Sequence, residues 1–133
     1  MSAPLPAGET LALAFAILER ESPRAFEWMS VELRGLRIRC AVAEERFTVY
    51  GAERPVVEAG SEPLFQVDVE AGKDAILALI DGETDVLGAI VGRRVKLIAD
   101  IGLMVRLSRA QRAFAEGAVR AAPMRDLLRR YRG

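Results

Sequence analysis

The chain contains no histidine, a single cysteine at position 40, and only eight aromatic side chains: five Phe, two Tyr and one Trp. Without histidine, the commonest general base and metal ligand near neutral pH is missing, and no Ser–His or Cys–His dyad can form. One cysteine cannot close a disulfide or build a thiolate metal cage within the chain, which suits a reducing cytoplasm. Cys40 sits among the apolar alternates of a strand-like stretch, the setting of a buried, unreactive thiol. Long apolar runs are also missing. The longest, Leu11–Leu18, spans eight residues, far short of the roughly 20 needed to cross a bilayer. No positive stretch precedes it and no small-residue cleavage site follows, so it reads as a core helix. Gly82, Gly88, Gly92 and Gly102 show no phosphate-loop spacing and no following Lys-Ser/Thr. Asp81, Asp85 and Asp100 sit where helix ends and starts use carboxylates, which explains them without catalysis. Tyr50, at the end of a strand, reads as an ordinary half-exposed sheet residue. The expectation is a protein that is not an enzyme, with no catalytic residue, no metal site and no cofactor.

What remains is apolar and neutral. The 133 residues match the size of one domain, 51% of them are apolar, and 19 basic side chains balance 19 acidic ones. No global field draws the chain to nucleic acid. With so few aromatics, aliphatic residues and alanine must fill the core or line something inside it. Charge is nevertheless uneven. Residues 108–133 hold seven Arg against Glu116 and Asp126, a local +5, which leaves −5 on residues 1–107. Such a tail either docks its own helix face on the domain or offers a transient contact to an anionic membrane. Seventeen of the 19 basic residues are Arg, which points to a GC-rich bacterial genome.

Periodicity divides the chain into helix, strands and helices again. Residues 1–8 are rich in Pro and Gly and read as frayed. Leu11, Phe15 and Leu18 recur at helical spacing over Glu9–Arg20, and Ser22-Pro23 ends that helix or starts a short second one over residues 24–30. From Leu36 the period becomes two: Leu36, Ile38, Cys40 and Val42 alternate with Arg37, Arg39 and Ala41. Glu44-Glu45 forms a turn, and Arg46–Tyr50, Val56–Ala59 and Leu64–Glu70 follow as strands. In the last of these, Phe65, Val67 and Val69 share a face. Consecutive strands joined by tight turns predict an antiparallel meander with one wet face. Asp74–Ile80 and Asp85–Val91 are helical, the second capped by Thr84. Arg93–Ala99 is a further strand with Val95 and Leu97 on one side. Asp100 then starts a helix over 101–107, Ser108-x-x-Gln111 has the spacing of a capping box that opens another, and Pro123 precedes a final helix over 124–131.

Residues 74–107 carry more grease than a surface helix pair needs. Positions 75–80 are Ala, Ile, Leu, Ala, Leu and Ile, and only Arg106 is polar among Leu103–Leu107. An amphipathic helix on a sheet requires an apolar stripe only a little over about 100° wide. A helix apolar on both faces is sandwiched by protein or turns its second face to something else. Core packing, a homodimer or other protein interface, a membrane, and an internal cavity for an apolar small molecule all satisfy this pattern.

The stretch Gly82–Leu107 resembles the signature region of the sterol carrier protein family, type 2. A Gly ends an apolar helix, an Asp and a short helix follow, then an edge strand and a further apolar helix. Here Gly82, Asp85, Gly92-Arg93, Val95–Ile98, Asp100 and Gly102 stand in those places, while Ala99 replaces the usual Gly. The resemblance covers about residues 34–115. It implies an α+β fold in one domain over 1–133: a twisted, mostly antiparallel sheet of about five strands, with helices on one face enclosing a hydrophobic tunnel. Family members carry sterols, fatty acids, acyl-CoAs or other lipids, some bacterial relatives assist quinone biosynthesis, and others mainly mediate assembly. By that resemblance Leu77, Ile80, Leu87, Ile90, Leu97, Leu103, Met104 and Leu107 are the candidate tunnel wall. An aliphatic wall binds by area, at about 25 cal/mol per Å² removed from water, so selectivity is expected to be broad.

Overall fold

Helix α1 (Ala7–Glu21) opens a computed structural model that describes residues 5–133. The first four of the residues read as frayed lie outside the described ones, but Ala7 and Gly8 are buried, and both are ordered by one side chain. The Glu45 carboxylate accepts from Ala7 N–H at 2.6 Å and from Gly8 N–H at 2.9 Å, so two orphan donors of the helix start are met by an anion. Pro23 occupies the first turn of α2 (Pro23–Leu33), where its missing N–H costs nothing.

Five strands form one sheet in the order β3-β2-β1-β4-β5, from β1 (Arg37–Val42), β2 (Glu45–Gly51), β3 (Pro55–Ala59), β4 (Val67–Ala71) and β5 (Val95–Ile98). The first three pair antiparallel as a meander, but β4 does not extend it: it runs parallel to β1, on the opposite side from β2. Gln66 makes this placement. Its side-chain oxygen accepts from Arg37 N–H at 2.7 Å, and its own N–H donates to the Arg37 carbonyl at 3.1 Å, which hooks the returning chain onto β1. The register then sets Arg39 beside Asp68, and the two pair at 3.1 Å. Phe65 leaves the alternation expected of it, because β4 starts two residues later and the Phe65 ring lies 3.7 Å from the Arg39 guanidinium instead. The β1–β2 turn is Ala43-Glu44 rather than Glu44-Glu45, with Ala43 in the left-handed region at φ 54°.

Two capping assignments also change. Helices α3 (Lys73–Ile80) and α4 (Val86–Val91) fall where expected, but Asp85, not Thr84, caps α4 by accepting from Gly88 N–H at 2.7 Å. Asp100 caps the next helix as read, accepting from Leu103 N–H at 2.8 Å. That helix, α5 (Ile101–Val119), runs through Ser108 without a break. Leu107, Ala110, Phe114 and Ala118 form one buried stripe across the supposed boundary, and burying it outweighs a cap at Ser108, itself buried. Gln111 does not reach back to Ser108; its amide donates to the Leu79 and Thr84 carbonyls. Gly117 lets α5 approach α1 and α2, for a Cβ there would stand 2.5 Å from Leu18 Cδ1 and 2.8 Å from Ala25 Cβ. Helix α6 (Ala122–Arg132) buries Met124, Leu127, Leu128 and Tyr131 against the rest of the fold and leaves Arg129, Arg130 and Arg132 outside. The Arg-rich tail therefore docks on its own chain, and Arg132 pairs with Asp81 at 3.0 Å.

Candidate functional site

Between the sheet and the helices lies a cavity of about 210 Å³. Every element except β3 supplies part of its wall. The floor is the period-two face read from the sequence: Ile38, Cys40 and Val42 of β1, Phe47 and Val49 of β2, and the paired Val69 and Leu97 of β4 and β5. Helix α1 adds Thr10, Leu11 and Phe15, and the Phe15 ring meets Phe114 of α5 edge-on at 6.3 Å between centroids. Met29 and Leu33 of α2, Leu79 and Ile80 of α3, and Tyr131 of α6 complete the lining.

Three of the eight residues expected on the wall are there: Ile80, Leu97 and Leu107. Leu77 is buried in the core off the wall, while Ile90, Leu103 and Met104 are half-buried and Leu87 is 43% exposed. Two geometric facts account for this. Helix α4 has only six residues and buries Val86 and Ala89, so Leu87 turns outward. The inward stripe of α5 reaches the cavity only from Leu107 onward, through Ala110, Gln111 and Phe114. Sequence reasoning placed the wall in residues 77–107 and missed the contributions of α1, α2 and α6. Gln111 carries a usable signal, since it lies four residues after Leu107 and three before Phe114 on an otherwise apolar stripe.

No charged side chain lines the cavity, and Thr10, Cys40, Gln111 and Tyr131 bring its few polar atoms. Thr10 is satisfied, its hydroxyl donating to the Pro6 carbonyl at 2.8 Å. Burial pushes the Cys40 thiol up to about 12, with the negative charge of Asp68 adding to it. Burial likewise raises the Tyr131 phenol, and Glu45 contributes in the same direction. Tyr50 is not part of the site; its hydroxyl donates to Glu62 at 2.9 Å. Among the described residues, no three His, Cys, Asp or Glu side chains come together as a metal ion requires, and no helix is long and apolar enough to cross a membrane.

By sequence, the chain matches no protein-family model and no curated protein. By structure, it superposes on sterol carrier protein domain 2 of Helicoverpa armigera with a TM-score of 0.64 at 20% identity, covering 87% of this chain and 96% of that one. The fold is that of sterol carrier protein 2. The same fold relates the chain to UbiJ-SCP2, a ubiquinone synthesis protein, with a TM-score of 0.59 at 16% identity over 82% of this chain and 95% of that one. Sterol carrier protein 2 from Yarrowia lipolytica, in its apo form, gives 0.58 at 10% identity over 86% and 98%. The sterol carrier protein 2 fold thus spans nearly the whole length of these proteins and most of the present chain, and its expected α+β layout of a five-stranded, mostly antiparallel sheet under helices is the one observed.

Proposed function

We propose that the chain is a non-catalytic carrier that holds an apolar small molecule in the cavity between sheet and helices. The cavity itself carries this reading: about 210 Å³ of space walled by aliphatic and aromatic side chains, without a charge. An apolar cavity of about 150 Å³ stays free of water and accepts benzene, so a larger one suits an organic guest. Scaled from that case, the cavity has room for about eight non-hydrogen atoms. That is an alkyl chain end or a small ring, and a whole sterol enters only if the helices part. The likeness to sterol carrier proteins and to a ubiquinone synthesis protein supports an apolar ligand of this kind.

The first experiment is native mass spectrometry of the purified protein beside analysis of its organic-solvent extract. The expected result is a lipid-like or quinone-like molecule at a fixed ratio to protein. Protein that is free of such molecules and also takes up no fluorescent fatty acid sinks the carrier reading.

A second reading draws on the aliphatic residues that turn away from the cavity. Val91, the last residue of α4, is 83% exposed, and Ile101, the first of α5, is 79% exposed. Exposed aliphatics of this size suit an interface with a second copy or another protein. Light scattering that gives a stable, ligand-free dimer, lost on Val91→Ser/Ile101→Ser, favours this reading over the carrier.

A further inference from the structure

Most of the cavity wall is buried, but Leu11, Val69, Ile76, Leu79, Leu97 and Gln111 are only half-buried. Four of these, Val69, Ile76, Leu79 and Leu97, pack around a second, smaller apolar cluster of Ala71, Ala75, Ala89 and Val95. That cluster joins α3 and α4 to the strands β4 and β5. Three of its four members are alanines, so parting the two sides exposes far less apolar surface than parting leucines or phenylalanines would. Leu77 and Ile80 are the two large side chains by which α3 enters the main core. Helices α1, α2, α5 and α6 are held there by Leu18, Phe26, Met29, Phe114 and Met124.

The backbone sets the same boundary. Among the described residues, the turn and cap hydrogen bonds made by residues 73–94 all close within residues 72–94, so none ties α3 or α4 to the sheet or to α5. Gly72 precedes α3 and Gly92 follows α4, and a Cβ at Gly72 would meet nothing within 4 Å. The link 81–85 between the two helices turns at Gly82, with φ 74°. Side chains of α5 and α6 hold this end. The Gln111 amide donates to Leu79 O and Thr84 O, Arg112 pairs with Asp85 at 3.2 Å, and Arg132 pairs with Asp81 at 3.0 Å. The two arginine side chains are 65% and 57% exposed, and ion pairs in water of this kind are weak. Resting on the reading of the cavity as a ligand site, we infer that α3 and α4 form a flap that swings on Gly72 and Gly92, and that the ligand passes between this flap and β4–β5. The link 81–85 is the moving tip, and Gln111, Arg112 and Arg132 are its latch. Closed, the cavity holds about eight non-hydrogen atoms, and opening along this seam admits a longer chain, whose remainder lies between the parted alanines.

The tip of the flap can be locked. A Cβ built on Gly82 stands 3.5 Å from Ala115 Cβ of α5, within the span of a disulfide, and the buried Cys40 does not compete for oxidation. Uptake of cis-parinaric acid, a long-chain polyene fatty acid that fluoresces in apolar surroundings, is followed by stopped flow. Gly82→Cys/Ala115→Cys is expected to take it up more slowly by roughly tenfold or more when oxidised than after reduction. Arg112→Ala/Arg132→Ala is expected to raise the wild-type rate roughly fivefold, the worth of two exposed ion pairs. Arg54→Ala, which breaks an exposed pair with Glu19 of α1 outside the flap, should leave the rate unchanged. Equal rates for the oxidised and reduced protein overturn the inference and leave the cavity a ligand site. So does a rise with Arg54→Ala as large as with the latch variant. Cysteine at Gly82 is strained by the positive φ. Should that variant not fold, the arginine variants decide alone, and a latch variant no faster than the wild type overturns the inference. Wild-type protein that takes up no fatty acid overturns the carrier reading itself, and this inference with it.

Discussion

Cys40 offers the most direct check on the cavity wall, because its chemistry reports burial. A thiolate is the reactive form, and a thiol held near 12 by burial carries almost none of it at pH 8, where an ordinary thiol carries a substantial fraction. Labelling of the native protein by a soluble thiol reagent at pH 8 is expected to be slower by roughly a thousandfold than in urea. A rate close to that of a free thiol would mean that the Cys40 side of the sheet opens readily to water. At this scale the sequence reads well for strand residues and poorly for helical ones. The alternation around Cys40 and the Val95/Leu97 face predict which side chains meet the cavity, since strand neighbours can point only two ways. Helical positions such as Leu87 and Met104 have no such binary choice. Their direction depends on where the helix lies on the sheet, and both fall off the wall.

At the scale of elements, two carboxylates hold helix starts at the edges of the cavity. Glu45 ties the first turn of α1 to β2, and that turn carries Ala7 and Thr10 of the wall. Glu45→Ala is expected to cost about 1–2 kcal/mol in urea unfolding and to raise amide hydrogen exchange at Ala7 and Gly8. Unchanged exchange there would show that α1 is held by packing alone. Asp85 does the same for α4. The Gly88 N–H, and then Arg112 at 3.2 Å, hold its carboxyl below the ordinary carboxylate range. A depressed folded-state value means that this stabilisation is complete above about pH 4, the unfolded value, and is lost as pH falls through the folded one. Asp85→Asn keeps a capping acceptor and loses the charge. It should cost about 0.5 kcal/mol at pH 7, because the ion pair is largely in water, and should flatten the acid limb of stability below about pH 4. An acid limb identical to the wild type would assign that pH dependence to other carboxylates, such as Asp68, lowered by Arg39.

For the whole molecule, the cavity competes with packing. Empty apolar volume is unfavourable in proportion to its size, by about 24 cal/mol per Å³ in cavity-forming mutants. Ala110 lies on the wall and is 4% exposed, so Ala110→Leu adds three carbons to the cavity space. The variant is expected to melt no lower than the wild type and to bind the apolar ligand at least tenfold more weakly. A lower Tm with unchanged binding would show that Ala110 faces packed side chains rather than free volume. The separated charges act at this scale too. The Arg-rich end folds back on the acidic body through Arg132–Asp81 and Arg112–Asp85, so its positive charge is partly spent within the chain.

The local pattern by itself determines most of the order of elements, their periods, and the class they build. Period two from Leu36 and the apolar helices after Asp74 need no distant partner to be read. The missing histidine and the lone cysteine restrict the chemistry before any fold is known. Tertiary structure alone decides the rest. The parallel placement of β4 beside β1 depends on Gln66 meeting Arg37 across 29 residues. The continuity of α5 through Ser108 depends on a stripe that is buried only once the other helices pack against it. Gln111 shows the difference most clearly, since its spacing from Ser108 fits a cap and its real partners, Leu79 and Thr84, lie 32 and 27 residues away. Local spacing fixes what a side chain can reach along its own helix. Which carbonyls wait on the other side, and whether one oxygen is left facing none, is set by how the layers close.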